Sequence, residues 1–350
     1  MKKIANYQLP LTSLFQNFIT KTKTGKRLNN AGKRICFGTI EQYQNVLKLL
    51  FLFEELYSTK LRIQVLNKGT QRIFLREKHY WERFFRRFSS LLYQKNYYDA
   101  YVGGIFKTLK SFFNYLTREE CLIIGNFHLQ FRVPSQKIVP IVLEPYQLKY
   151  LITNAQFKSS LKKNLQRVND IFVLGCTIGL RYSDLMSLKK TDIQYTDTGV
   201  FALLNTSKTA THVKIPLPQY AIDIIIKYDK KRSRFVLPRL SNTNLNVEIK
   251  KLMEKAGWTY NLPKIRYQQG VPMELKNNNN MVYRFCDHIS THTMRRTAIT
   301  TLLLMGVEEN IVRSISGHAP GSREFYKYVA IVQSFLTKQV ITAFDKLLLE

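Results

Sequence analysis

Six side chains in the second half of this 350-residue chain are of the types that can rearrange a phosphodiester. They are Arg181 in Gly179-Leu180-Arg181, Lys208 in Thr206-Ser207-Lys208-Thr209, His292 and Arg295 in His292-Thr293-Met294-Arg295, His318 in Ser316-Gly317-His318, and a tyrosine at Tyr328 or Tyr326. A guanidinium bonds two phosphate oxygens with a planar fork, which an ammonium cannot do. Lysine and histidine move protons to and from oxygen. A phenol attacks and remains covalently attached, storing the energy of the bond it breaks. The set contains what is needed to hold a phosphodiester, attack it and protonate the departing sugar oxygen, with no metal and no other cofactor among its parts.

Taken singly, each member has an ordinary reading. Arg181 follows an apolar helix (Ile171 to Ile178) and a bend at Gly179, and a salt bridge to Asp184 would account for it. Lys208 falls in the turn of a hairpin predicted from Val200–Leu204 and His212–Pro216, where lysines are common and Lys214 competes with it. His292 and Arg295 are more informative. Ser290 or Thr291 can cap their helix, and a spacing of three places both on one face of its first turn, at the positive end of the helix dipole where anions bind. Arg296 points about 100° further round and is expected to be solvent-facing or structural. A zinc site from Cys286, His288 and His292 lacks a fourth ligand at a recognisable spacing and crosses a loop-to-helix junction. The tyrosine gains weight only from its place, eight or ten residues after His318 and before an amphipathic C-terminal helix.

The elements that must position these residues are mainly helical. Thr39 is a plausible N-cap for a helix with Tyr43, Val46, Leu47, Leu50 and Phe53 at three- and four-residue steps. A second helix is expected over 80–95 and a third after Asp99, with Arg83, Arg86, Arg87, Lys107 and Lys110 off their apolar stripes and available to a phosphate backbone. Residues 1–38 hold a short helix over 11–19 and then a polar, basic stretch, and are expected to form an arm. Residues 121–142, with Pro134 and Pro140, are expected to be a linker. Helices are expected again at 148–155, 165–175, 218–228, 244–256, 291–305, 309–316 and 332–349. Residues 257–289, rich in Asn, are expected to be an irregular insertion.

Composition narrows the partner. The net charge is +30, from 54 Lys and Arg against 24 Asp and Glu. Residues 1–142 hold 24 basic and 8 acidic side chains (+16) and residues 143–350 hold 30 and 16 (+14), so both halves are basic. Such an excess repels itself in a compact fold, and a polyanion is the commonest reason to tolerate it. Four scattered cysteines without a CxxC pair point to free thiols in a reducing cytosol. The N-terminus lacks a signal-peptide core and no apolar run approaches about 18 residues, so a soluble, cytoplasmic protein with no membrane partner is expected.

In order and separation, Gly179-Leu180-Arg181 with Asp184, Lys208 before Val213-Lys-Ile-Pro-Leu, His292-x-x-Arg295 and Ser316-Gly317-His318 with Tyr328 resemble the catalytic domain of tyrosine site-specific recombinases, the phage integrase and Xer-type family. Residues 39–120 resemble that family's SAM-like core-binding domain, and Phe325-Tyr-Lys-Tyr328-Val is similar to mobile-element integrases of Bacteroides-type bacteria. The family's commoner His-to-Tyr interval of nine lands on Lys327, so this chain departs by one. The resemblance implies an α+β catalytic domain over 143–330 and a C-terminal exchange helix over 331–350, the two DNA-binding domains forming a C-shaped clamp. It implies a homotetramer on synapsed double-stranded DNA carrying specific sites, in a bacterial, nucleoid-associated setting. It also implies roles. Tyr328 is the nucleophile that forms a 3′-phosphotyrosine. Arg181 and Arg295 neutralise the phosphate, Lys208 protonates the leaving oxygen, His292 assists proton transfer and His318 donates to the phosphate. Two rivals are a type IB topoisomerase-like activity and a catalytically silent DNA-binding regulator on the same scaffold.

Overall fold

The computed structural model describes residues 6–29, 32–132, 139–207, 211–229, 233–319 and 321–347; the side chains of 334 and 338–347 lie outside the description. The chain divides into two compact units, Met1–Lys137 with Ile265–Leu275, and Ile138–Lys264 with Lys276–Glu350. Among the described residues no helix is long and apolar enough to cross a membrane.

The first unit opens with strand β1 (Tyr7–Pro10) and runs directly into helix α1 (Leu11–Lys23), followed by α2 (Phe37–Leu56), β2 (Arg62–Val65), α3 (Gln71–Gln94) and α4 (Asp99–Arg118). β1 and β2 pair antiparallel, Tyr7 opposite Val65 and Pro10 opposite Arg62. The core is built largely from aromatic rings. Phe15 meets Phe112 at 4.7 Å, Trp81 meets Phe113 edge-on at 4.9 Å, and Phe84 stacks on Phe88 at 5.2 Å. Offset and edge-on pairs of this kind add about 0.5–1.5 kcal/mol each beyond the area they bury. α3 starts well before the expected residue 80. Thr70 caps it by accepting from Ile73 N, and Arg62 forks onto the fully buried Glu77 with two bonds of 2.7 Å. The local cap and the Arg62–Glu77 pair, 15 residues apart, hold opening turns that apolar periodicity does not reveal.

Two expectations about segments of this unit need correction. The expected arm at 1–38 is largely folded into the core, with Leu11, Phe15 and Phe18 fully buried. Its basic end is held too, since Arg27 lies over the Phe18 ring at 4.4 Å and pairs with Glu119 at 3.2 Å. The expected linker at 121–142 begins as part of the same core through Ile124, His128 and Phe131.

The second unit contains α5 (Pro145–Thr153), α6 (Ala155–Ser160), α7 (Lys163–Ile178), α8 (Tyr182–Ser187), the strands β3 (Ile193–Thr196), β4 (Gly199–Asn205) and β5 (His212–Pro216), then α9 (Gln219–Asp229) and α10 (Asn242–Lys255). The hairpin β6 (Lys264–Gln268) and β7 (Val271–Leu275) follows, and then α11 (Phe285–His288), α12 (Thr291–Leu304), α13 (Glu309–Ser316) and α14 (Arg323–Leu347). β3, β4 and β5 form one antiparallel sheet in that order.

The hairpin corrects the expectation of an irregular 257–289. Its turn, with Gln269 and Gly270 both at positive φ, offers two amides to the buried Asp99 carboxylate at 2.8 and 2.9 Å, so it folds with the first unit. The main core of the second unit is centred on α7 against α12. A side chain at Gly175 would place its Cβ 2.5 Å from Met294 Sδ, so these helices approach as closely as they do only because that position is bare. A smaller cluster joins Val142, Ile299, Val312, Phe325, Tyr328 and Ile331. α14 is one continuous helix that carries both candidate tyrosines and runs through the expected boundary at 330/331; Phe335 packs against the small cluster.

Candidate active site

Three local devices bring the sequence-predicted residues together. α7 ends at Gly179 in the left-handed region (φ 68°), and the chain turns so that Arg181 precedes the first turn of α8. α12 starts at a capping box in which Ser290 and Thr293 each serve the other's backbone, placing His292 and Arg295 in the first turn and a half. α13 closes in a Schellman motif: Gly317, at φ 63°, donates to Ser314 O and His318 N donates to Arg313 O, which aims His318 inward.

Arg295 joins these devices. It is 2% exposed. Its Nη1 donates to Gly179 O at 3.0 Å and its Nη2 lies 3.2 Å from both ring nitrogens of His318. The Ser316 hydroxyl sits 2.6 Å from Val312 O and 2.7 Å from His318 Nδ1. If that hydroxyl donates to the carbonyl, Nδ1–H donates to Ser316 Oγ and the Nε2 lone pair faces Arg295, a tautomer assigned from the network. Burial, then the charges of Arg295, Arg181 and Arg313, push the His318 pKa down to about 4, so the ring is neutral at pH 7. His292 keeps solvent contact, yet partial desolvation and the neighbouring Arg296, Arg295 and Arg181 lower its pKa as well.

Two guanidiniums share this place, close enough for the charge of Arg181 to oppose that of Arg295. Burial and then Arg181 pull the Arg295 pKa down to about 10, which still leaves it charged at neutral pH. Arg181 has its Nη1 buried and without a hydrogen-bond partner. The salt-bridge reading of Arg181 with Asp184 is not what the structure shows for that carboxylate: Asp184 Oδ1 accepts from Ser207 N at 3.0 Å and from Ser207 Oγ at 2.5 Å. Asp184 therefore holds the β4–β5 turn at the residue before Lys208. Lys208 itself lies outside the described residues. The base of its turn is close to the rest of the set, since a Cβ on Gly317 would meet Thr206 Cγ2 at 3.4 Å.

Tyr328 is 6% exposed, and its ring lies 5.9 Å from that of His318. Tyr326 is 53% exposed and faces Arg313 instead. The zinc alternative is not assembled: Cys286 is buried in the core, His288 Nε2 bonds Leu262 O at 2.7 Å, and no cluster of three His, Cys, Asp or Glu gathers among the described residues. In the first unit, Arg83, Arg86, Arg87 and Lys107 are exposed and Lys110 is half-buried. Sequence reasoning missed the roles of Ser207 and Arg313, whose partners Asp184 and Phe325 lie elsewhere in the chain, and that of Ser316, which depends on the local fold of the α13 cap. Of the two expectations for Arg296, solvent-facing or structural, the structure favours the second: the side chain is half-buried and desolvated, with Tyr328 and Glu324 among its electrostatic partners.

The fold and this set together define the tyrosine-recombinase class of protein. The chain belongs to the phage integrase family, whose model matches residues 142–332. A curated relative is tyrosine recombinase XerC of Halalkalibacterium halodurans, 22% identical over 241 residues, covering 67% of this chain and 73% of that protein. Among solved structures, the fold matches the Tn1549 transposon integrase in complex with circular intermediate DNA, with a TM-score of 0.57 at 15% identity over 91% of this chain and 95% of the other. It also matches a lambda integrase tetramer bound to a Holliday junction, with a TM-score of 0.54 at 15% identity over 90% of this chain and 79% of the other.

Proposed function

We propose that this protein is a site-specific DNA recombinase that cuts and rejoins strands through a 3′-phosphotyrosine at Tyr328. The observation that carries the reading is the pair Arg181 and Arg295, the first with its Nη1 buried and unbonded, the second fully buried and opposed by the charge of the first, beside the Tyr328–His318 contact. Preorganised positive charge of this kind binds a phosphate and stabilises the further charge that develops on its non-bridging oxygens during displacement. In the step, Tyr328 Oη bonds to phosphorus and the bond from phosphorus to the 5′-oxygen breaks. His292, held neutral, accepts the phenolic proton, and Lys208 delivers a proton to the leaving oxygen. For His318 Nε2 to donate to the phosphate, as the family likeness implies, the ring proton must move from Nδ1 to Nε2, and the Ser316 hydroxyl must turn from Val312 O to donate to the bare Nδ1. Attack of a 5′-hydroxyl on the phosphotyrosine reverses the bonds and regenerates Tyr328, so no external energy source is consumed.

The reading extends to the assembly. Both basic units would contact one duplex, the first through Arg83, Arg86, Arg87, Lys107 and Lys110, and four copies would synapse two recombination sites in the bacterial nucleoid. The end of α14 would act as the exchange helix, reaching a neighbouring protomer. The lambda integrase tetramer bound to a Holliday junction supports that arrangement by fold likeness. A silent regulator would have no use for a buried guanidinium set against a second one beside a tyrosine, and a topoisomerase would act without synapsis.

The test is a nicked suicide duplex carrying the true site. Wild type traps a covalent adduct, Tyr326→Phe traps it too, and Tyr328→Phe traps none. An adduct that survives Tyr328→Phe but not Tyr326→Phe moves the nucleophile; one that survives both removes the tyrosine chemistry.

A further inference from the structure

Arg313 belongs to none of the motifs above, yet it touches both parts of the site that must stay in register. Its main chain closes the α13 cap by accepting from His318 N at 3.0 Å. Its side chain, only 10% exposed, lies over the Phe325 ring at 4.0 Å and over the Tyr326 ring at 5.0 Å. Nη2 is anchored to Glu309 at 3.2 Å, one turn earlier on the same helix, while Nη1 is buried with no hydrogen-bond partner. Phe325 in turn packs against His318 at 5.5 Å and Tyr328 at 6.2 Å, and is itself fully buried.

We infer that Arg313 is a positioning residue that sets which tyrosine of α14 reaches the phosphate. A guanidinium over an aromatic face is attractive, and more so when both are withdrawn from water. Over Phe325 and Tyr326 together, Arg313 fixes the rotation of the first turn of α14. Phe325 then packs beneath the Arg313 guanidinium, Tyr326 stays exposed beside it, and Tyr328, two residues beyond Tyr326, lies beside His318. The buried, unbonded Nη1 indicates that the site keeps a cation where a hydrogen-bonding role would have demanded a partner; the ring faces are what it serves. The exposed Tyr326 is thereby held on the Arg313 side, away from Arg295. This inference rests on the recombinase reading above and adds to it a residue outside the reacting set.

The experiment uses the full chain and the suicide duplex in single-turnover mode, comparing Arg313→Met and Arg313→Lys with wild type. Methionine keeps the buried bulk without the charge, and lysine keeps a cation that can still sit over a ring. Cleavage by Arg313→Met is expected to fall about tenfold to a hundredfold, the cost of a misplaced nucleophile. DNA affinity should be unchanged and Arg313→Lys should recover part of the rate. In the Tyr328→Phe background, adding Arg313→Met is expected to let a trace of adduct form, mapped by mass spectrometry to Tyr326. Wild-type cleavage by a folded Arg313→Met, or a loss that follows DNA affinity alone, overturns the inference while leaving the recombinase reading intact. Failure of wild type to form any adduct removes that reading first. A melting curve for each variant separates a positioning loss from a failure to fold.

Discussion

The two units carry nearly equal positive charge and use it in opposite ways. In the first, Arg83, Arg86, Arg87 and Lys107 stand in solvent on helices whose other faces bury aromatic rings. They cost little to keep charged and take their counter-ions from bulk solution. In the second, Arg295 is buried against a backbone carbonyl and a neutral histidine, and its charge is opposed by desolvation and by Arg181. Exposed cations confer affinity that depends on salt and little on sequence, because their gain is counter-ion release. Buried, oriented cations gain most when negative charge grows between them. One unit is therefore suited to holding a polyanion and the other to reacting with one group of it.

The sharpest break of this contrast is at Arg181. Arg181→Ala is expected to lower single-turnover cleavage about a hundredfold to a thousandfold, the scale for losing one preorganised donor to a developing charge. Gel-shift affinity should change by far less, and an equal loss of both would make Arg181 an ordinary phosphate contact.

The mirror experiment removes Arg86 or Arg87. Each substitution by Ala should weaken binding across all sequences and reduce the slope of log K against log salt by about one. Cleavage at saturating DNA should stay at the wild-type rate, and a sequence-selective loss would contradict an exposed, backbone-reading role.

A smaller effect compares buried histidines in the two units. His128, stacked on Phe113 at 5.1 Å in the first core, and His318 at the site are both held near a pKa of about 4, chiefly by burial. A histidine whose folded pKa lies below its ordinary 6.5 binds its proton more readily when unfolded. Stability is therefore complete above about 6.5 and is lost as the pH falls from there towards 4. His128→Phe should flatten the dependence of urea stability on pH in that window by about one proton. An unchanged slope would show that His128 is already protonated in the folded chain.

Most of the helices were legible because a 3.6-residue apolar stripe is written locally. α2, α4, α7, α10, α12 and α13 all fall close to their expected spans. What could not be read were elements whose reason lies far away in the chain. The first turns of α3 depend on Arg62 and Glu77, and the β6–β7 hairpin depends on the Asp99 carboxylate. Strand β1 needs β2, 52 residues on at the closest pairing, Pro10 with Arg62, before its backbone has partners.

The site divides along the same line. Residue types and their order, from Arg181 to Tyr328, are covalent facts of the sequence, and with the charge they named a phosphodiester chemistry before any folding was considered. Only the tertiary structure could join Gly179 to Arg295, Ser207 to Asp184 and Arg313 to Phe325. Those contacts span 116, 23 and 12 residues of chain, respectively, and need helices packed against one another before either partner has an address. The difference in surroundings between two tyrosines two residues apart is of this kind. Burial, the His318 ring and the cation over Tyr326 separate them, and none of the three is a property of the sequence near either tyrosine.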